Sequence, residues 1–223
     1  MAPETTLTQI VEVGIIPAVR TSSADDARFA AETIASAGIP IVEITMTVPH
    51  ALEIIRDLVR YLPDVTVGAG TVLDTDTAGR CIDAGARFIT SPGLDRDVVE
   101  FTLRAKVLTI PGALTPTEVT AAIRAGADLI KIFPCAQVGG ATYIHALRAP
   151  FPEAHLVAAG GVNQQTASDF ITAGASAIGV GSELIPRKAI HERDKHWITE
   201  LARRFTHLVQ AARGQIAGRH EPV

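Results

Sequence analysis

Short β-branched or apolar runs alternate with longer helical patterns along all 223 residues, and the alternation keeps one character from end to end. Runs at 14–20, 41–45, 66–69, 88–91, 107–111, 129–133, 156–158 and 177–180 have the length and composition of strands. Between them lie stretches of helical period, such as Ala51, Leu52, Ile54, Ile55, Leu58 and Val59 on one stripe. Several of these helices stop in the same way, at Ala37-Gly38-Ile39, Ala84-Gly85-Ala86, Ala125-Gly126-Ala127 and Ala173-Gly174-Ala175. Glycine just past a helix end takes the left-handed conformation without a Cβ penalty, so each string marks a helix stop leading into a strand.

Eight such β-plus-α units predict an α/β fold, a (β/α)8 TIM barrel forming one domain over 1–223, with a doubly wound open sheet as the alternative. No G-x-G-x-x-G follows the first strand, which weakens the alternative. Residues 6–13 read as a short N-terminal helix covering the lower end of the barrel. Residues 197–212 read as an extra C-terminal helix and 214–223 as a frayed tail.

A hydrophobic fraction of 47%, 20% charged residues and a net charge of −4 describe a well-cored chain. It lacks the basic blocks that a nucleic-acid backbone or an anionic membrane would attract. The start, Met1-Ala2-Pro3-Glu4-Thr5-Thr6, has no basic stretch leading into an apolar one, and no apolar run is long enough to cross a bilayer. A cytoplasmic protein is expected. Cys81 and Cys135 belong to no C-x-x-C set and read as free thiols. The seven histidines show no metal-ligand spacing, so neither a metal nor a cofactor is expected.

Two of the candidate strands carry one internal charge each, of opposite sign. Lys131 interrupts Leu129-Ile130-Lys131-Ile132-Phe133-Pro134, and Glu43 interrupts Pro40-Ile41-Val42-Glu43-Ile44-Thr45. A buried ammonium is costly unless paired or neutralised, and a desolvated lysine that loses its proton is the amine that forms Schiff bases with carbonyl substrates. The plain alternative is a structural ion pair. Strand alternation puts Leu129, Lys131 and Phe133 on one face, and Ile41, Glu43 and Thr45 on one face, with the polar members inside the barrel.

Further candidates stand at strand ends, on the side where barrel active sites are built. Arg20 closes the first strand, Gly70-Thr71 follows the third, Ser91-Pro92-Gly93 the fourth and Thr115 the fifth. Taken singly, Arg20 could be a solvated cap, and Thr71 and Pro92 ordinary turn residues. Ala159-Gly160-Gly161 after the seventh strand and Gly179-Val180-Gly181-Ser182 after the eighth suit a phosphate, because glycines let backbone amides approach an anion. A helix start is expected near Ser182.

An amine, an internal carboxylate and a phosphate cradle together suit a class I aldolase acting on a phosphorylated keto-sugar acid. The strings Val42-Glu43-Ile44-Thr45, Val67-Gly68-Ala69-Gly70-Thr71-Val72, Phe88-Ile89-Thr90-Ser91-Pro92, Ile110-Pro111-Gly112-Ala113-Leu114-Thr115-Pro116-Thr117-Glu118, Leu129-Ile130-Lys131-Ile132-Phe133-Pro134 and Gly160-Gly161-Val162-Asn163 resemble the 2-keto-3-deoxy-6-phosphogluconate (KDPG) and 4-hydroxy-2-oxoglutarate (KHG) aldolase family. The resemblance implies Lys131 as Schiff-base residue and Glu43 as general acid/base. It implies Thr71, Pro92 and Phe133 around the pyruvyl group, Arg20 on the substrate carboxylate, and Gly160, Gly161, Gly181 and Ser182 on the phosphate. It also implies pyruvate as a product, no metal and a homotrimer.

Two positions depart from the family pattern. Ala158-Ala159 stands where many members carry proline and threonine, and Thr47 where one branch carries an arginine near the phosphate. Both bear on the aldehyde half of the substrate, so 2-keto-3-deoxy-6-phosphogalactonate and 4-hydroxy-2-oxoglutarate stay open as alternatives. Outside the aldolases, the rivals are a barrel isomerase or synthase without a Schiff base and a silent phosphosugar-binding barrel.

Overall fold

The computed structural model describes residues 2–218. Its strands are β1 (Ile15–Val19), β2 (Ile41–Thr45), β3 (Thr66–Gly70), β4 (Phe88–Thr90), β5 (Leu108–Ile110), β6 (Gly112–Ala113), β7 (Ile130–Ile132), β8 (Leu156–Ala159) and β9 (Ala177–Val180). They form one parallel sheet in the order β5-β4-β3-β2-β1-β9-β8-β7-β6. β5 lies inside the expected strand 107–111, and β6 continues the same run beyond its expected end, the two being separated by Pro111, which has no N–H to give a ladder. Across the break the carbonyls of Thr109, Pro111 and Ala113 accept from the amides of Leu129, Lys131 and Phe133 at 3.4, 2.9 and 3.2 Å. The sheet therefore closes on itself as a TIM barrel, and an open doubly wound sheet, which would keep two edges, is excluded.

Helices α1 (Pro3–Val13), α2 (Ala24–Ser36), α3 (Ala51–Tyr61), α4 (Thr75–Asp83), α5 (Arg96–Arg104), α6 (Pro116–Arg124), α7 (Ala141–Arg148), α8 (Ala167–Thr172), α9 (Arg187–His191) and α10 (Lys195–Gly218) surround it. Gly38, Gly85, Gly126 and Gly174 take φ of 94°, 104°, 88° and 104°, the left-handed helix stops that their sequence setting predicts. Val42, Ile44, Ile130 and Ile132 point outward into the layer under these helices, so Glu43 and Lys131 point inward.

The inward residues sort by height. Ile41, Phe88, Leu108 and Ala177, at the starts of their strands, and Leu129, just before β7, pack with Ile10 of α1 into an apolar plug. Gly68 leaves room for the Phe88 ring there, since a Cβ at Gly68 would lie 2.2 Å from a ring carbon. Glu43, Thr90 and Lys131 come one inward step further along than Ile41, Phe88 and Leu129, above the plug.

Three local expectations are corrected. Thr115, expected as a strand-end residue on the loop side, serves as the N-cap of α6. Its hydroxyl accepts from Glu118 N at 3.3 Å while Glu118 accepts from Thr115 N and Leu114 N at 2.7 and 2.9 Å. Those two amides, with the Thr115 hydroxyl, hold the Glu118 carboxyl below the usual carboxylate range. Second, α1 begins at Pro3, where proline suits the first helical turn. Third, fraying does not begin at residue 214, because α10 continues to Gly218. Arg213 donates to the carbonyls of Val11 and Glu12 at the end of α1, and Ile216 packs on the core, which hold that last stretch. Residues 219–223 of the expected tail lie outside the described residues.

Candidate active site

Above the plug the barrel opens into a cavity of about 390 Å³. Its wall brings together Arg20, Glu43, Lys131, Phe133, Gly160, Gly161, Gly181 and Ser182, eight of the ten residues singled out in the sequence. Thr71 and Pro92 are the exceptions. They sit at the ends of β3 and β4 but do not line this cavity. Thr71 takes φ of 60°, and such conformations cost a β-branched residue on the order of 1–3 kcal/mol and persist only where its surroundings impose them.

Gly70, at the end of β3, makes room for the Glu43 carboxylate, since a Cβ there would lie 2.0 Å from Oε1. Glu43 is flanked in register by Ala18 and Gly68, and Lys131 by Gly112 and Val157. Glu43 is only 4% exposed, and its Oε2 accepts a hydrogen bond from Thr90 Oγ1 at 2.7 Å. Lys131 is half-buried, with Nζ 5.2 Å from the centroid of the Phe133 ring. Among the described residues neither Lys131 nor Glu43 joins an ion pair. The structural ion pair held open by the sequence does not form among the described residues, which leaves the amine open to a ligand in the cavity.

Gly160 and Gly161 turn the chain after β8 with φ of 84° and 82°, and a Cβ on Gly161 would lie 2.3 Å from that of Ala136. That alone would require glycine there. However, among the described residues no protein carbonyl accepts from the amides of Gly160, Gly161, Gly181 or Ser182, and all four residues line the cavity. Unused amides on a cavity wall suit an anion. No helix starts at Ser182: the amides of Leu184 and Ile185 fold back onto the Gly181 carbonyl at 3.0 Å, and α9 begins only at Arg187. The expected helix-dipole contribution at Ser182 is thus lost.

Sequence reasoning missed Thr90, Glu183 and Arg187, which also line the cavity. Thr90 was visible as a polar residue two positions after inward-facing Phe88. Glu183 and Arg187 carried no signal, because both come from the irregular stretch after β9. Among the described residues no group of three or more His, Cys, Asp or Glu is placed to hold a metal ion, and no helix is long and apolar enough to cross a membrane.

Cys135 follows Pro134 at the edge of the site, but its thiol is buried and pushed up to about 11 by desolvation, as is that of Cys81. At pH 7 about one part in 10⁴ would be thiolate, so neither is a competing nucleophile. A disulfide-exchange reagent should titrate no thiol promptly in the folded protein and both after denaturation. Rapid modification of Cys135 in the native state would contradict this.

A parallel barrel whose mouth gathers, among the described residues, a lysine outside any ion pair, a buried carboxylate and unused backbone amides has the architecture of a TIM-barrel enzyme. The chain belongs to the KDPG and KHG aldolase family, whose model matches residues 7–201, and is an aldolase, a carbon–carbon lyase of the pyruvate-dependent kind. It is 30% identical over 192 residues to the 2-dehydro-3-deoxy-phosphogluconate aldolase of Pseudomonas aeruginosa, covering 86% of this chain and 87% of that one. The structure of KDPG aldolase from Legionella pneumophila, with pyruvate captured as a covalent carbinolamine intermediate, superposes with a TM-score of 0.83 at 28% identity, covering 91% and 97% of the two chains. The KDPG aldolase of Zymomonas mobilis with 3-phosphoglycerate gives 0.81 at 26% identity, covering 90% and 94%.

Proposed function

We propose that this aldolase cleaves KDPG reversibly to pyruvate and glyceraldehyde 3-phosphate through a Schiff base on Lys131. The observation that carries the proposal is the lysine itself, unpaired on the inner face of the barrel and sharing a cavity with Glu43 and with four unused amides. The covalent pyruvate in the Legionella enzyme supports a carbinolamine route by similarity.

In this scheme the Lys131 amine attacks the C2 ketone and the carbinolamine loses water to give a protonated imine. As the C4 hydroxyl loses its proton to Glu43, directly or through water, the C3–C4 bond breaks and its electron pair moves into the iminium. The aldehyde leaves. Glu43 then returns a proton to C3 of the enamine, and hydrolysis releases pyruvate and the free amine. Phe133 packs beside the pyruvyl group and Arg20 meets the carboxylate. The resemblance puts Thr71 and Pro92 beside the pyruvyl group as well, and Pro92 comes so close to Gly112, the register partner of Lys131, that a Cβ on Gly112 would lie 2.1 Å from the Pro92 carbonyl oxygen. The family resemblance adds a homotrimer, to be checked by the mass in light scattering.

The phosphate would sit on the Gly160, Gly161, Gly181 and Ser182 amides, with Arg187 lining the same cavity as a cation. One observation favours an unphosphorylated substrate such as 4-hydroxy-2-oxoglutarate: the Glu183 carboxylate lines the same wall and would repel a dianion. Ser182→Asp distinguishes the two. If a phosphate sits there, kcat/KM for KDPG over that for 4-hydroxy-2-oxoglutarate falls by about tenfold or more, at least ~1.4 kcal/mol of differential transition-state binding. An unchanged ratio would favour the hydroxy-oxoglutarate activity.

A further inference from the structure

We infer that Thr90 is a positioning residue for the Glu43 carboxylate, fixing one oxygen so that the other exchanges protons with substrate; this rests on the acid/base role given to Glu43 above. Two contacts from two different strands bear on the carboxylate. On the β4 side, Thr90 Oγ1 donates to Oε2 at 2.7 Å. On the β3 side, the Gly70 backbone closes against Oε1, where a Cβ would lie 2.0 Å away.

The geometry is that of a constraint. Thr90 is 1% exposed, so water does not compete for its hydroxyl, and its β-branched side chain is stiff about χ1. A hydroxyl donating to a carboxylate at this distance falls in the short, charge-assisted range. Among the described residues Oε1 has no hydrogen-bond donor in the protein, so it is the oxygen left for the C4 hydroxyl or a relaying water. Thr90 also lines the cavity with Glu43 and Lys131, so its hydroxyl braces the carboxylate at the site itself. Without it, the carboxylate would turn about its last side-chain bond, which is broad and two-fold, and lose its aim at the bond being broken.

The test compares Thr90→Val, which removes the donor at nearly constant volume, with Thr90→Ser, which keeps it, each alone and combined with Glu43→Gln. Cleavage kinetics, solvent-deuterium exchange into the pyruvate methyl group and thermal unfolding are measured on each. Thr90→Val should lower kcat and the exchange rate together by about 10- to 100-fold, with KM within about twofold. Thr90→Ser should restore both to near the wild-type values, and Thr90→Val should add nothing to Glu43→Gln. A role confined to packing would lower the unfolding temperature and leave kcat and exchange alone. Wild-type kcat in Thr90→Val beside an impaired Glu43→Gln overturns the Thr90 assignment while the Glu43 reading stands. An active Glu43→Gln overturns both. If Thr90→Val does not fold, Thr90→Ala takes its place, removing the donor without adding bulk, with loss of kcat expected and full kcat overturning the assignment.

Discussion

Lys131→Arg should leave no detectable aldol cleavage while the protein still folds. Arginine keeps the positive charge and most of the length, and it can still lie over the Phe133 ring, so binding and packing are largely preserved. What it lacks is an amine that can lose its proton, attack a ketone and be regenerated. The side chain joins no ion pair among the described residues, so the exchange leaves no buried partner charge behind. Steady-state turnover with KDPG, read beside the thermal unfolding curve, checks this. Substantial turnover in a folded Lys131→Arg protein is incompatible with covalent catalysis at this residue.

Glu43→Gln should lower turnover by about 10²- to 10⁴-fold, the usual contribution of a positioned acid/base group. The amide oxygen can still accept from Thr90, so the side chain keeps its place, but it cannot exchange protons. The stability arm is unusually clear. Breaking a buried pair costs roughly 3–5 kcal/mol because it leaves the partner's charge uncompensated, whereas Glu43 has no cationic partner among the described residues. The unfolding temperature should therefore hold or rise as turnover collapses. Near-normal turnover would remove Glu43 from the chemistry.

The barrel was legible because its signals are local and repeated. Each Ala-Gly string ends a helix, and each apolar run that follows becomes a strand. The positions of Lys131 and Glu43 were legible too, because two-residue alternation decides inside from outside once the flanking isoleucines and valines are sent to the helix layer. Pro111 is a visible breaker, and the division of the fifth strand into β5 and β6 follows from its missing N–H.

What escaped depends on distance along the chain or on irregular backbone. The bond from Thr90 to Glu43 links residues 47 apart on two strands, and no pattern in either strand announces it. Thr115 carried two signals, a strand-end position and the T-x-x-E of a capping box, and the capping box is the one the backbone uses. From the sequence, a helix start is expected near Ser182. Here the chain makes a turn onto the Gly181 carbonyl first, and Pro186 delays α9. Glu183 and Arg187 reach the cavity only because of that turn.

Trapping pyruvate on the wild-type protein with borohydride, followed by peptide mapping, tests the Schiff-base assignment most directly. Reduction of the imine would fix the three-carbon unit to the nitrogen that formed it and inactivate the enzyme in step. One adduct, on Lys131, is expected. An adduct on Lys106 or Lys188 instead, or full activity after reduction in the presence of pyruvate, would contradict it.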